Sequence, residues 1–193
     1  MVTDPEEKIF EITIHGRGGQ GAVTAGELLC EFAHADGFKD VLSIPIIGAE
    51  RRGAAIKAYT RLSPKKEIKN YSAVISPDVS LIFDLSLLPL PGVLDSIKNG
   101  IVICNTHEGV DRSKFPESVR VFWVDATGIS IKLGLVIAGS PVLNVPMLGA
   151  YAKVMGHIKL PTMKTILIDK FASKGDLNYQ AAEQSFNSVQ EVK

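Results

Sequence analysis

The stretch Ile9-Phe10-Glu11-Ile12-Thr13-Ile14-His15-Gly16-Arg17-Gly18-Gly19-Gln20-Gly21-Ala22 joins a strand-like apolar run to a glycine-rich turn and the start of a helix. Gly16, Gly18 and Gly21 satisfy G-x-G-x-x-G, the spacing of a dinucleotide-binding turn. Glycine permits backbone angles that a Cβ forbids, and it lets a ligand or another backbone come close. The helix after the turn directs its free N–H groups and positive dipole end toward that corner, so the corner suits an anion. Two plainer readings stand beside this one. The glycines can serve only a tight strand-to-helix turn, or they can belong to a nicotinamide site. The second needs an acid at the end of the next strand to hold the ribose hydroxyls. That strand, Val41-Leu42-Ser43-Ile44, ends at Pro45 without one; Asp40 precedes it and Glu50 comes after a loop.

Working outward, Ala22 to Ala35 places Ala22, Ala25, Gly26, Leu29 and Ala33 on one helical face and Glu27, Glu31 and His34 on another. The small inner residues suit close packing on a sheet. After the loop 45–53, residues 54–62 alternate as a half-exposed strand does. Val79 to Asp84 and Gly100 to Thr106 are expected as central parallel strands, with a helix over 93–98 between them. Val119 to Asp125 is a further strand. Helices are expected at 127–137, 144–155, 162–173 and 178–190, with Asn144 as N-cap and Pro146 in the first turn. Lys174-Gly175 punctuates the last two. Strands alternating with helices predict an α/β fold. The expected form is a Rossmann-like, mainly parallel sheet flanked by helices, with a helical C-terminal region. Ligands gather at the carboxyl ends of such strands, where the glycine turn, Asp84, Asn105-Thr106 and Asp125 fall.

The 193 residues are enough for one domain, 1–193, with a sizeable core. The hydrophobic content of 46% and charged content of 22% fit an ordinary soluble globular protein. A net charge of zero argues against nucleic acid as a partner. No apolar run reaches membrane-spanning length and the acidic leader Met1 to Glu7 lacks an apolar core, so a cytoplasmic protein without membrane contact is expected. Cys30 and Cys104 are expected as buried free thiols. Two cysteines cannot hold a four-cysteine iron–sulfur cluster.

A turn needs glycine but not the guanidinium of Arg17 or the amide of Gln20. Arg17 could hold a phosphate or carboxylate through paired hydrogen bonds. A second basic cluster, Glu50-Arg51-Arg52-Gly53, lies near the same sheet edge. Here an ion pair between Glu50 and Arg51 that fixes the loop competes with an anion-binding or subunit-docking role. His15 is expected as a hydrogen-bonded structural histidine. His34, His107 and His157 lack metal-ligand spacing. Asp84, Asn105 and Asp125 end strands and are expected to cap helices. Met147, Met155 and Met163 are expected to pack helices, and Trp123 to lie in a core or interface.

Together the two clusters resemble the gamma subunit of 2-oxoacid:ferredoxin oxidoreductases, of the pyruvate/2-ketoisovalerate type. The resemblance rests on His15 to Gly21 with Ala22-Val23-Thr24-Ala25, on Gly48-Ala49-Glu50-Arg51-Arg52-Gly53-Ala54 and on Asn144-Val145-Pro146-Met147-Leu148-Gly149-Ala150. Asn178 falls near another recurring asparagine, and the match spans nearly the whole chain. It implies a subunit of a complex that oxidatively decarboxylates a 2-oxoacid with coenzyme A to acyl-CoA, carbon dioxide and reduced ferredoxin. Thiamine diphosphate with Mg2+ and [4Fe-4S] clusters would then lie on alpha, beta and ferredoxin-like delta partners. No catalytic residue and no metal ligand are assigned to this chain. Gly16, Arg17, Gly18, Gly19, Gln20, Gly21, Glu50, Arg51, Arg52 and Gly53 become candidates for coenzyme A or subunit contact, with Arg17 and Arg52 foremost for phosphates. Ile46-Ile47 stands where the family often has an aromatic residue, whereas Arg51-Arg52-Gly53 favours pyruvate or branched-chain substrates over 2-oxoglutarate. A stand-alone nucleotide-binding or assembly module is the competing reading.

Overall fold

The structure is a computed structural model and describes residues 8–46 and 53–193. Glu50, Arg51 and Arg52 therefore lie outside the described residues. Strand β1 (Phe10–Arg17) runs into the glycine turn, and helix α1 (Ala22–Ala35) leaves it. Strands β2 (Asp40–Ile46), β3 (Ala55–Ser63), β4 (Val79–Ile82), β5 (Gly100–Asn105) and β6 (Val119–Val124) come next, then helix α2 (Ala126–Lys132). Beyond it lie the two-residue strands β7 (Val136–Ile137) and β8 (Ser140–Pro141), and helices α3 (Asn144–Met155), α4 (Leu160–Phe171) and α5 (Gly175–Ser188). A short strand β9 (Gln190–Glu191) closes the order.

The main sheet is ordered β2-β3-β1-β4-β5-β6-β9. Its centre, β1-β4-β5-β6, is parallel, while β3 pairs antiparallel with both β1 and β2, and β9 antiparallel with β6. The strand beside β1 is thus β3 and not the second strand of the chain. The position where a ribose-binding acid would end a parallel neighbour is taken by a strand running the other way, which removes the geometry of a nicotinamide site.

Side chains alternate between the two faces. Ile12, Ile14, Leu81 and Ile103 enter the larger core with Leu29, Phe32, Met147, Tyr151 and Leu167 from the helices. Ile82, Val102, Cys104 and Val121 enter a smaller core on the other face, closed by Leu88, Val93, Ile97 and Phe115. The second face is covered by single 3-10 turns at Leu85–Leu87, Leu94–Ser96 and Arg112–Lys114. The helix expected over 93–98 is one of these turns, too short to propagate.

Other boundaries also move. β2 continues through Pro45 because it is the sheet's edge, where a missing donor is tolerated. The helix expected over 127–137 stops at Lys132 and gives way to a hairpin. Ala138 and Gly139 both have positive φ (50° and 79°), as a tight two-residue hairpin turn of the primed kind demands. α5 begins at Gly175, and the segment after Ser188 turns extended as β9. α3 and α5 meet at backbone contact: a Cβ on Gly149 would lie 2.1 Å from the Ala182 carbonyl oxygen. Both cysteines are free, and burial pushes each thiol up to about 12. No helix among the described residues is long and apolar enough to cross a membrane.

Buried histidines carry structural bonds. His15 Nε2 is 3.2 Å from Thr13 Oγ1, and burial together with the charge of Lys57 lowers its pKa to about 3. His157 Nε2 meets the Tyr151 hydroxyl at 2.8 Å and its ring packs between Phe10 and Phe38; burial lowers its pKa to about 4. Met147 and Met163 are fully buried, and Trp123 is half-buried on β6.

Candidate functional site

The glycine turn is closed by its own groups. Arg17 N–H donates to Gln20 Oε1 (2.7 Å), Gln20 N–H donates to the Arg17 carbonyl (3.0 Å), and Leu143 N–H donates to the Gln20 carbonyl (3.1 Å). The last bond joins the turn to the start of α3. Gly21 is the N-cap of α1 in the left-handed region (φ 85°), and no side chain caps this helix. Its first N–H groups thus stay available, and the dipole end faces outward. A Cβ on Gly21 would stand 3.2 Å from Asn144, so glycine also lets that side chain lie against the turn.

Two cavities flank the turn. One, of about 650 Å³, has the turn and the first residues of α1 as its floor. Its walls are the β7–β8 hairpin, the start of α3 and the α4–α5 junction, and Ile137 and Phe171 make it largely apolar. Two buried asparagines line it. Asn144 is 5% exposed and accepts from Val145 N–H through Oδ1; among the described residues Nδ2 has no partner. Asn178 is 6% exposed and donates through Nδ2 to the Lys174 carbonyl, and its Oδ1 has no partner there. The cavity therefore holds one open amide donor, one open amide acceptor and an uncapped helix start. Asn144 is the first residue of α3 and not its N-cap, which is Leu143. Lys174, at the α4–α5 junction, lines the same cavity.

The second cavity, about 500 Å³, sits at the carboxyl ends of β4, β5 and β6. Its Asp and Asn side chains are engaged by neighbouring protein groups. Asn105 Nδ2 donates to the Phe83 carbonyl and Thr127 Oγ1 (2.9 Å each), and its Oδ1 accepts from Thr127 N–H (3.1 Å). Asp125 caps α2 by accepting from Gly128 N–H (2.7 Å). Asp84 accepts from Ser86 N–H and from Arg17 Nε. Burial pushes the Asp84 carboxyl up, but the bonds from Ser86 and Arg17 outweigh it and hold the group below the usual carboxylate range. Asp84 and Asp125 thus cap the turn and the helix they precede, as expected, and Asn105 reaches across to the first turn of α2. No group of three His, Cys, Asp or Glu side chains suited to a metal occurs among the described residues.

Residues 11–188 match the family model described as pyruvate ferredoxin/flavodoxin oxidoreductase. The chain belongs to this family. It is 39% identical over 188 residues to the pyruvate/ketoisovalerate oxidoreductases common subunit gamma of Thermococcus kodakarensis, covering 94% of this chain and 97% of that one. The crystal structure of pyruvate oxidoreductase subunit PORC from Thermotoga maritima superposes with a TM-score of 0.79 at 30% identity, covering 97% of this chain and all of the other. A 2-oxoglutarate:ferredoxin oxidoreductase from Magnetococcus marinus, solved with 2-oxoglutarate, coenzyme A and succinyl-CoA bound, shares the fold. There the TM-score is 0.76 at 21% identity, over 94% of this chain and 31% of that one. The chain is thus an oxidoreductase subunit of the gamma type.

Of the candidates read from this gamma-type sequence, Gly16 to Gly21 and Gly53 come together. Gly18 N–H donates to the Ala54 carbonyl (2.9 Å), and Gly53 N–H to the Gly18 carbonyl (3.4 Å). Gln20 is occupied through Oε1 with the turn itself. Asn144 and Asn178 were legible only as a helix start and a recurring asparagine. A polar residue inside an otherwise apolar helix face, Asn178 between Leu177 and the Ala181-Ala182 pair, is the sequence signal for a buried amide.

Proposed function

We propose that this chain is the gamma subunit of a thiamine diphosphate-dependent 2-oxoacid:ferredoxin oxidoreductase, and that the 650 Å³ cavity beside the glycine turn receives part of coenzyme A. Pyruvate or a branched-chain 2-oxoacid is the substrate of this reading, with acyl-CoA, carbon dioxide and reduced ferredoxin as products. The carrying observation is the coincidence of an uncapped α1 N-terminus with the open amides of Asn144 and Asn178. A helix start suits a phosphate. One donor and one acceptor suit an amide or a nucleobase edge, and apolar walls suit the rest of a long, jointed ligand. The coenzyme A and succinyl-CoA bound to the Magnetococcus protein support the choice of ligand.

The residues present fit the other groups of the complex poorly. Two separated thiols, Cys30 and Cys104, cannot ligate a four-iron cluster, and no group of three metal-ligating side chains occurs among the described residues. In this reading the clusters and thiamine diphosphate with Mg2+ lie on alpha, beta and delta partners, as the family resemblance implies. When bound there, thiamine diphosphate supplies the carbanion chemistry of decarboxylation. This chain binds and orients: the Gly18–Gly21 backbone and the α1 N–H groups face a phosphate, and the hairpin excludes water from one wall. Glu50, Arg51 and Arg52 belong to the proposal from the sequence alone, for phosphate or subunit contact, with Gly53 beside the turn. Assembly in the cytoplasm accords with these partners.

The deciding experiment is to purify the native complex and assay pyruvate, 2-ketoisovalerate, 2-oxoglutarate and an aryl 2-oxoacid with coenzyme A and ferredoxin. Copurification with cluster-bearing chains and coenzyme A-dependent turnover of pyruvate or 2-ketoisovalerate are expected. A chain always isolated alone and without turnover would favour a nucleotide-binding or assembly module.

A further inference from the structure

Arg17 is the last residue of β1, and strand alternation sets where its side chain goes. Ile12 and Ile14 enter the core beneath α1, whereas Thr13, His15 and Arg17 share the opposite face. Arg17 also lines the rim of the 650 Å³ cavity, and its guanidinium reaches from there toward the end of β4. There Nε donates to Asp84 Oδ2 (2.7 Å), Nη2 to Ser86 Oγ (2.6 Å) and Nη1 to the Gly53 carbonyl (3.0 Å). Ser86 bonds the other Asp84 oxygen through both its amide and its hydroxyl, so the carboxylate and the hydroxyl form a closed ring with the guanidinium. Three of five N–H groups are committed, and the charge is neutralised at hydrogen-bond distance. Two N–H groups remain, one on each terminal nitrogen, and a phosphate that took the fork at Nε and Nη2 would have to displace Asp84 and Ser86. The same guanidinium fixes Gly53, whose amide in turn bonds the Gly18 carbonyl, while Gly18 N–H is held by Ala54.

We propose that Arg17 is a positioning residue. By clamping Asp84, Ser86 and Gly53 it holds the Gly18–Gly21 backbone in the geometry that faces the cavity, and it strengthens coenzyme A binding through that backbone, without touching a phosphate. The assignment rests on the reading that coenzyme A occupies this cavity.

The test uses the intact, purified complex carrying Arg17→Ala, Asp84→Ala, both together, or Arg17→Lys. Three quantities are read: the coenzyme A KM against kcat, the ratio of KM for coenzyme A and dephospho-coenzyme A, and hydrogen exchange of amides 16–22. Arg17→Ala and Asp84→Ala should each raise the coenzyme A KM about tenfold, and the double variant should raise it no further, as partners in one network do. The kcat at saturating coenzyme A and the ratio for the dephospho form should stay within about twofold, since binding alone is lost. Exchange at 16–22 should quicken equally in both single variants. Arg17→Lys, which keeps the ion pair but loses the fork, should fall between wild type and Arg17→Ala. A raised KM in Arg17→Ala beside a wild-type KM in Asp84→Ala would overturn the proposal and place Arg17 on the ligand. Unchanged exchange in Asp84→Ala would overturn it as well. Quickened exchange in both with an unaltered coenzyme A KM throughout would keep the clamp and remove the coenzyme A reading, so the two failures are distinguishable.

Discussion

The two cavities beside the glycine turn differ in their walls, one largely apolar and one polar, and in what their amide groups have left to give. In the cavity at the carboxyl ends of β4 to β6, Asn105 bonds Thr127, and Asp84 and Asp125 cap the segments they precede. In the cavity over α1, Asn144 and Asn178 are more deeply buried yet keep an amide group unpaired, against an apolar wall. The fully enclosed side-chain atoms without a partner among the described residues are the hydroxyls of Ser43, Thr60 and Ser185, so the free amide atoms of Asn144 and Asn178 open onto the cavity. Polarity alone points to the cavity at the strand ends, whereas the proposed function uses the one over α1. Spare hydrogen-bonding capacity separates a mortised joint from a binding surface.

The comparison breaks most visibly at Asn105. Replacement with Ala removes bonds to the Phe83 carbonyl and to Thr127, which join the end of β4 to α2. A loss of about 2–3 kcal/mol is expected, seen as a melting temperature lower by roughly 5–10 °C, with the coenzyme A KM within about twofold of wild type. A raised KM without loss of stability would make Asn105 a ligand contact and erase the contrast.

Acid should come next and act on the fold without choosing a cavity. The folded chain holds His15 near pKa 3 and His157 near 4, both below the ordinary value of 6.5. As pH falls below about 6.5 the unfolded chain takes up protons that the folded chain refuses, so stability declines with falling pH until the folded values are reached. Between pH 7.5 and 5.5 each histidine should cost on the order of 1 kcal/mol, measurable by urea denaturation. His157→Phe should flatten part of that slope. An unchanged urea midpoint between these pH values would contradict the buried, neutral state of both rings.

Asn144→Ala should do the reverse of Asn105→Ala. A coenzyme A KM raised about tenfold is expected, from one lost hydrogen bond, with a melting temperature lowered by less than about 3 °C. The smallest effect belongs to Arg52→Ala, for which about a threefold rise in coenzyme A KM with an intact complex is expected, the size of a single ion-pair contact. Kinetics indistinguishable from wild type would take Arg52 out of the first cavity's ligand set.

The strand, the turn and α1 were legible because each signal is local: an apolar run, three glycines at fixed spacing, small residues at helical period. The parallel centre was legible for the same reason, since β4 and β5 are apolar runs ending in polar residues. The place of β3 was not, because no local feature of residues 55–63 says that they pair with β1 in reverse. The hairpin at 136–141 was hidden by an apolar content that also suits a helix, although Gly134 stands before it and Gly139 in its turn. Arg17 was read from the sequence as a phosphate or carboxylate ligand; its partner Asp84 lies 67 positions away, beyond the reach of spacing. The amides of Asn144 and Asn178 share a cavity only because α3 and α5 pack together.

That packing has a mechanical consequence. Gly149 on α3 touches the Ala182 carbonyl of α5 so closely that the crossing behaves as the rivet of a pair of calipers. Asn144 lies about 7.5 Å along its helix from the rivet, and Asn178 about 6 Å along the other, at 1.5 Å per residue. The opening between the two jaws is thus gauged by a residue with no side chain, remote from whatever they grip. A thicker rivet would change the calibre of ligand admitted while every gripping group stayed the same.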